Sequence, residues 1–189
     1  MNLLNKWKKW NESSKYLKNK KRLKKLKRKD FPLIEDEKLL EDAIGWIAGK
    51  MTSAELSKNM ELLATLPKPC QYVIAVNAVD GEVINYSFAQ YYFNESHILT
   101  VKADEALLAI GAPRLAKIVQ QADIIYTQVK KKLGSCRKNS DKRFSDFCKN
   151  NPFAELDEEF FSVSYKEQIE PVEKLLISYI KQNIDCFGD

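Results

Sequence analysis

The segment from Val83 to Pro113 constrains the fold of this chain more than any other. Its first half concentrates aromatic side chains within one short stretch: Tyr86, Phe88, Tyr91, Tyr92 and Phe93. Ile84, Phe88 and Tyr91 follow the i, i+4, i+7 spacing of one helix face, and a second aromatic pair, seven residues apart, shares another face. A helix that is apolar on nearly all sides must be enclosed by other elements. The pattern therefore predicts one buried helix at the centre of a helical domain.

Polar residues within the segment predict how it is held and where it ends. The amides of Asn85, Gln90 and Asn94 would need hydrogen-bond partners inside a protein, so we expect them to tie neighbouring parts of the chain together. After them, ADEALLAI predicts a second helix that Gly111 stops, with Pro113 starting the next helix.

The same residues carry a family resemblance. Asn85, Phe88, Gln90, Tyr91 and Asn94 are spaced as in the signature Asn-Gly-Gly-Phe-x-Gln-Tyr-x-x-Asn, although Tyr86 and Ser87 replace its two glycines. The segment resembles the bacterial DNA-mimic protein family, whose shared domain is otherwise a domain of unknown function. The resemblance continues through Gly111 and reappears at LDEEFF, Leu156 to Phe161, so that it spans roughly residues 40 to 185. It implies a non-enzymatic protein whose acidic side chains imitate DNA phosphates and occupy a DNA-binding transcriptional regulator.

Composition and periodicity favour an all-α fold. The 6 glycines and 6 prolines are too few for a turn-rich β sandwich, and 189 residues are enough for one domain with a real core. We expect seven or eight helices in a domain over residues 33–189, preceded by a basic arm over residues 1–32. Helical patterns run from Glu35 to Met51, from a cap at Thr52 or Ser53 through Leu63, within the aromatic segment and at ADEALLAI. Gln71 to Val79 are apolar enough for a buried helix or a strand, and we favour a helix that ends near Gly81. A long helix is predicted from Arg114 to about Leu133, and its inward residues are Leu115, Ile118, Val119, Ala122, Ile125 and Tyr126. GSCRKNSDKR is the clearest loop, followed by a short helix from Phe144, by AELDEEFFSVSY and by a last helix near Ile169 to Ile184.

Charge divides the chain into two parts. Residues 1–30 hold 13 Lys or Arg and 2 acids, a net charge of +11, whereas residues 31–189 hold 18 basic and 24 acidic side chains. Apolar residues of the arm form one helical stripe among its lysines: Leu3, Leu4, Trp7, Trp10 and Leu17. Three interpretations stay open: contact with an anionic membrane surface, contact with nucleic acid, or a solvated helix whose tryptophans dock on the body or on a neighbouring copy. We expect residues 1–30 to be separable from the fold.

Acidic residues of the body concentrate in two regions, which we predict to bind a basic protein surface. The first-choice residues are Glu155, Asp157, Glu158 and Glu159, and the second are Glu35, Asp36, Glu41 and Asp42. We expect all four side chains of the first set to be mostly solvated, at the start of a helix. Two alternative functions remain: an immunity or adaptor protein that binds one partner by shape, and a nucleic-acid-associated or membrane-surface-associated protein that acts through the arm.

Catalytic and metal-binding motifs do not support an enzyme. The chain has no Gly-rich phosphate loop, no Gly-x-Ser-x-Gly elbow and no Cys-x-x-Cys pair, and we predict no cofactor, no metal and no small-molecule substrate. The single histidine, His97, is expected to lie in a surface loop. The four cysteines stand far apart, which predicts reduced thiols, and no apolar run reaches the length of a membrane span. With no signal peptide recognised, we expect a cytoplasmic protein.

Overall fold

The computed structural model describes residues 23, 25–51, 56–137 and 141–189, and every regular element within these ranges is helical. The α-helices are α1 Asp36–Lys50, α2 Leu56–Thr65, α3 Lys68–Asn85, α4 Phe88–Phe93, α5 Ala103–Ala109, α6 Pro113–Arg137, α7 Asp141–Lys149, α8 Ala154–Phe161 and α9 Val172–Gln182. Short 3₁₀ turns cover Arg28–Leu33 and Ile184–Cys186, and a single π-helical turn, Ser162–Lys166, follows α8. The predicted all-α class is confirmed.

Helix α3 is the centre of the domain. It packs against α1, α4, α5, α8 and α9, so its apolar residues meet neighbours on several sides. Its buried residues include Val73, Ala75, Val76 and Val79. A helix in this position cannot present a broad polar face to solvent, which explains its apolar sequence.

The prediction of one continuous helix through the aromatic segment was wrong. The chain breaks at Tyr86 and Ser87, which separate α3 from α4, and these are the two positions that are glycine in the signature. The Ser87 hydroxyl accepts a hydrogen bond from the backbone N–H of Gln90 at 3.1 Å, so this serine starts the new helix. The Tyr86 side chain is 66% exposed and does not share a buried face with Phe93.

Buried aromatic rings join α4 to the C-terminal part of the domain. Phe88 is fully buried, and its ring contacts Phe153 and Phe160 with centroid distances of 6.3 and 5.6 Å. Tyr92 stacks on Tyr126 of α6 at 4.3 Å with nearly parallel planes. The predicted burial of Phe88 and its neighbour Tyr91 is confirmed.

The turn between α5 and α6 follows the prediction. Gly111 has φ +87°, a conformation that residues with a side chain rarely adopt, and Pro113 is the first residue of α6. The inward face of α6 is also as predicted, with Leu115, Ile118 and Val119 buried.

Two predicted boundaries are corrected. Helix α3 continues past Gly81 to Asn85, because buried Val79 and Val83 flank the glycine and packing outweighs its low helix propensity. The predicted loop GSCRKNSDKR is mostly helical: α6 continues to Arg137 and α7 begins at Asp141. The predicted caps Thr52 and Ser53 lie outside the described residues.

The last residues of the basic arm pack on the body rather than standing apart. Leu23 and Leu26 are buried, and Phe31 is fully buried against Trp46 and Phe187. The backbone N–H of Arg28 donates to the carbonyl oxygen of Asp189 at 3.3 Å. Apolar burial thus outweighs the charge pattern at the end of the arm, whereas the separability of residues 1–30 from the fold stays a prediction. The stripe from Leu3 to Leu17 lies outside the described residues.

Replacement of Phe88 by Ala tests the aromatic core. We expect the free energy of unfolding to fall by about 3–5 kcal/mol, because the fully buried ring would leave a cavity between α4 and α8. Tyr86→Ala is the matched control, since its mostly exposed ring should cost less than about 1 kcal/mol. Chemical denaturation of both variants provides the measurement. Equal midpoints for the two variants would contradict the burial of Phe88.

Candidate partner-binding surface

The first-choice acids lie on the short helix α8, and most of them face solvent. Phe160 is fully buried on one side of this helix, which turns Glu155, Glu158 and Glu159 outward, all exposed. Residues three and four positions apart are neighbours on a helix surface, so Glu155 lies beside both Glu158 and Glu159. We call Glu155, Glu158 and Glu159 the α8 row.

Asp157 does not belong to this row. Its carboxylate is half-buried and accepts the backbone N–H of Phe88 at 2.7 Å and the side-chain amide of Asn151 at 2.6 Å. Burial raises the pKa of Asp157, while these two hydrogen bonds act in the opposite direction. The expectation that Asp157 is wetted like its neighbours was wrong, because Asp157 holds the start of α4.

The α8 row borders an open groove between α6 and α8. The groove encloses about 700 Å³, and its lining residues are Gln121, Ile124, Ile125, Asn151, Pro152, Ala154, Glu155, Leu156 and Glu159. Ile124 is 61% exposed although it is a large apolar residue. The lining contains two carboxylates and no Lys or Arg, so the groove combines an apolar floor with a negative rim.

The second-choice acids lie at the start of α1 and differ in exposure. Glu35 and Asp36 are exposed, and the Asp36 carboxylate pairs with the Lys181 ammonium of α9 at 2.6 Å. Glu41 is half-buried and Asp42 is buried, so neither offers a carboxylate that projects fully into solvent. Helix α1 packs against α9 and α3, whereas α8 packs against α3 and α6. The two acidic sets therefore lie on two different helices, α1 and α8, each of which packs against α3.

Two buried carboxylates that sequence analysis did not identify organise the backbone. Glu170 accepts the N–H groups of Arg114 and Leu115, each at 2.9 Å, and so satisfies the first turn of α6. Glu82 accepts hydrogen bonds from Asn94 and Ser96. Glu170 lies between Ile169 and Pro171 and belongs to no recognisable motif, so no local signal marks it.

The signature residues serve structure. Phe88 and Tyr91 are core residues. The Gln90 side-chain amide donates to the Asn94 side chain at 2.8 Å, and the Asn94 amide donates in turn to the Glu82 carboxylate. The expectation that the amides tie neighbouring parts of the chain together is confirmed for Gln90 and Asn94. Asn85 instead is exposed and donates to the carbonyl oxygen of Gly81 within its own helix.

The described residues also place the acids, the histidine and the cysteines as follows. In that part of the chain no three His, Cys, Asp or Glu side chains come together as metal ligands. His97 is half-buried rather than on the surface, with its ring 4.7 Å from that of Tyr126 and 5.1 Å from that of Tyr92. The cysteines are free thiols, as predicted, and burial raises the pKa of Cys70 to about 12. No helix among the described ranges is long and apolar enough to cross a membrane.

A family model now adds an independent observation, because the DMP19-like protein model matches residues 64–183, more than half of the chain. The chain belongs to the DMP19-like protein family. The match begins within α2 and ends just after α9, so it includes the signature residues, the groove and the α8 row. The acids of α1 lie outside it. Comparisons with curated proteins and with solved structures gave no match.

Replacement of Asp157 tests the internal role of this acid. Asp157→Ala leaves the N–H of Phe88 without its acceptor, and we expect a loss of about 1–3 kcal/mol in unfolding free energy. Glu158→Ala removes the same charge from the next residue, which is exposed, and should change stability by less than about 0.5 kcal/mol. Denaturation midpoints of the two variants provide the comparison. A larger loss of unfolding free energy for Glu158→Ala than for Asp157→Ala would contradict the assignment of Asp157 to the interior and Glu158 to the surface.

The half-buried Asp80 of α3 makes stability depend on pH. Burial raises its pKa to about 6, while the Ser164 hydroxyl, 3.3 Å away, lowers it and Glu173 raises it further. The folded pKa lies above the unfolded value of about 3.9, so the fold favours the protonated form. The stabilisation by Asp80 is therefore complete below about pH 4 and is lost as pH rises through about 6.

We expect Asp80→Asn to weaken this dependence. Between pH 5 and pH 8 the native protein should lose about 1–2 kcal/mol more unfolding free energy than the variant, because asparagine is neutral throughout. Glu158→Gln, a change at an exposed carboxylate, serves as the control and should keep the native pH profile. Identical profiles for the native protein and Asp80→Asn would show that Asp80 is not responsible.

Proposed function

We propose that this protein is a non-catalytic binding module that presents its α8 row to the positively charged surface of a DNA-binding regulator. In this role the carboxylates would take the place of DNA phosphates. Membership in the DMP19-like family and the resemblance to DNA mimics through the signature support the proposal.

The observation that carries the proposal is the geometry of the α8 row. Glu155, Glu158 and Glu159 project from a helix whose opposite face is fixed by buried Phe160, so their positions are held by the fold. The Cβ atom of Glu155 is about 5–6 Å from those of Glu158 and Glu159, which follow it by three and four positions on the helix. A strand of DNA likewise presents a phosphate at every step, about 3.4 Å of rise. A rigid row of negative charges is what a phosphate-binding surface of Lys and Arg recognises.

The distribution of charge around the row agrees with this role. Residues 155–189 hold 9 acidic and 3 basic side chains, whereas Lys130, Lys131 and Lys132 lie toward the end of α6. Lys131 follows the groove residue Ile124 by seven positions, about two turns, so it lies on the same face of α6 about 10 Å further along the helix axis. A partner would meet a negative surface next to a positive one, which would fix its orientation.

The groove gives a second candidate function some support. Exposed Ile124 offers an apolar contact that DNA mimicry does not need, and an adaptor or immunity protein would use such a site to match the shape of one partner. The two functions differ in how strongly binding depends on salt.

The test starts with the full chain immobilised and proteins captured from an extract of its own cell. For the captured protein we expect affinity to fall steeply between 50 and 300 mM salt, because exposed charges are screened over about 8–10 Å. Duplex DNA should compete with the chain for this protein. Glu155→Gln/Glu158→Gln/Glu159→Gln should slow association about 3–10-fold with little change in dissociation, since long-range charge mainly steers encounter.

The matched control is Glu61→Gln/Glu173→Gln/Asp185→Asn, which removes the same charge from exposed acids outside the α8 row. This variant should associate nearly as fast as the native chain. Mimicry would be rejected by an affinity that does not fall with salt, by a lack of competition from duplex DNA and by unchanged association of the triple Gln variant. These results would favour the adaptor or immunity function instead.

A further inference from the structure

The groove between α6 and α8 combines two kinds of surface that one occupant has to match. Ile124, which is 61% exposed, and the partly buried Ile125 and Leu156 form its floor, and Glu155 and Glu159 form its rim. We propose that this groove binds a basic helix of the regulator, with one large apolar side chain on the floor and two Lys or Arg side chains on the rim. The proposal deepens the proposed function and rests on it for the kind of protein that supplies the helix.

Both walls of the groove are held by contacts with the rest of the domain. The lining residue Asn151 donates from its side-chain amide to Asp157 at 2.6 Å and accepts the backbone N–H of Phe153 at 3.1 Å. On the α6 side, the ring of Tyr126 stacks on that of buried Tyr92 with centroids 4.3 Å apart. The groove therefore needs little rearrangement on binding, which reduces the entropy lost.

The rim requires positive charge in the occupant. Glu155 and Glu159 are exposed and four positions apart, so their Cβ atoms are separated by about 5–6 Å. Among the described residues neither carboxylate forms a salt bridge, and the groove lining has no Lys or Arg. A partner helix with Lys or Arg at positions i and i+4 presents its charges with the same separation. Such side chains can pair with both carboxylates, whereas the phosphates of a nucleic acid would be repelled.

The floor requires an apolar side chain beside those charges. A single exposed apolar residue is ordinary on a protein surface, but Ile124 lies in a concave site with two other large aliphatic side chains. The lining takes residues 121–125 from α6 and 154–159 from α8, about 6–8 Å along each helix axis. This length suits one apolar anchor rather than a long apolar stripe. On the partner helix, position i+3 lies next to i and i+4, so Leu, Ile, Met or Phe there would contact the floor while the basic residues contact the rim.

An apolar anchor would supply the selectivity that carboxylates alone lack. Most DNA-binding proteins contact phosphates with Lys and Arg, so a row of acids would attract many of them. A regulator whose basic helix also carries a matching apolar side chain would gain the extra burial on the floor, and a regulator with a polar residue at that position would not. In this arrangement the rim attracts basic proteins and the floor discriminates among them.

Titration of the full chain with two synthetic helical peptides tests this binding without a regulator. The first peptide is alanine-based, with Lys at positions i and i+4 and Leu at i+3, and the second has Ser in place of this Leu and the same charge. Nuclear magnetic resonance of isoleucine methyl groups reports where each peptide binds. We expect the first peptide to shift the signals of Ile124 and Ile125, and not that of Ile98, which is 50% exposed outside the groove. It should bind about fivefold or more tightly than the second peptide, because its Leu side chain leaves water.

Variants of the chain separate the floor from the rim. Glu155→Gln/Glu159→Gln should weaken the binding of both peptides and keep the preference for Leu, whereas Ile124→Asn should abolish this preference and leave the Ser peptide unaffected. Ile98→Asn is the matched control and should keep the full preference, and far-ultraviolet circular dichroism should show that all three variants fold.

Three results would overturn the proposal. The first is a Leu peptide that does not bind at low salt or that shifts Ile98 instead of Ile124. The second is equal binding of the two peptides, which would remove the apolar anchor while the charge-based contact of the proposed function stands. The third is a shift of the Ile124 signal when the chain alone is concentrated, because another copy would then occupy the groove. A captured regulator whose affinity does not fall with salt would reject the proposed function and would leave the peptide result unchanged.

Discussion

Hydrogen bonds from backbone N–H groups to one half-buried and one buried carboxylate connect the C-terminal part of this domain to α4 and α6. Asp157 accepts the first N–H of α4, and Glu170 accepts two N–H groups at the start of α6. The N-terminus of a helix has unsatisfied donors and a partial positive charge, so a carboxylate there satisfies both. Without these acids, the ends of α4 and α6 would leave polar groups buried and unpaired, at a cost that ring packing around Phe88 would have to offset.

Neighbouring residues of α8 therefore have different roles, because some contact the core of the domain and others face solvent. Phe160 fixes the helix on the aromatic core, Asp157 holds α4, and the α8 row faces solvent. The row is placed by the same contacts that stabilise the fold. A binding surface built on such a helix keeps its geometry when no partner is present, which reduces the entropy lost on association.

Sequence patterns predicted the helical class, the turn at Gly111 and the inward face of α6, because each depends on local spacing or on one residue's backbone preference. The break at Tyr86 was missed, since aromatic side chains continue across it and only Ser87 marks the new start. The different fates of Asp157 and Glu158 were missed for another reason. Both are acids in the same turn, and only the approach of α4, distant in sequence, decides which one is buried. Leu23 and Leu26 were hidden by the lysines around them, although two leucines three positions apart suffice to anchor a segment.

The different roles of residues along α8 have an evolutionary consequence under the proposed function. The three outward residues could change without disturbing Asp157 or Phe160, so selection could alter which surface this helix would recognise while the fold persists. The residues that maintain the shared fold and the residues that would contact a partner are then under separate constraints. Members of one family could in this way drift toward different partners and still share the same helical frame.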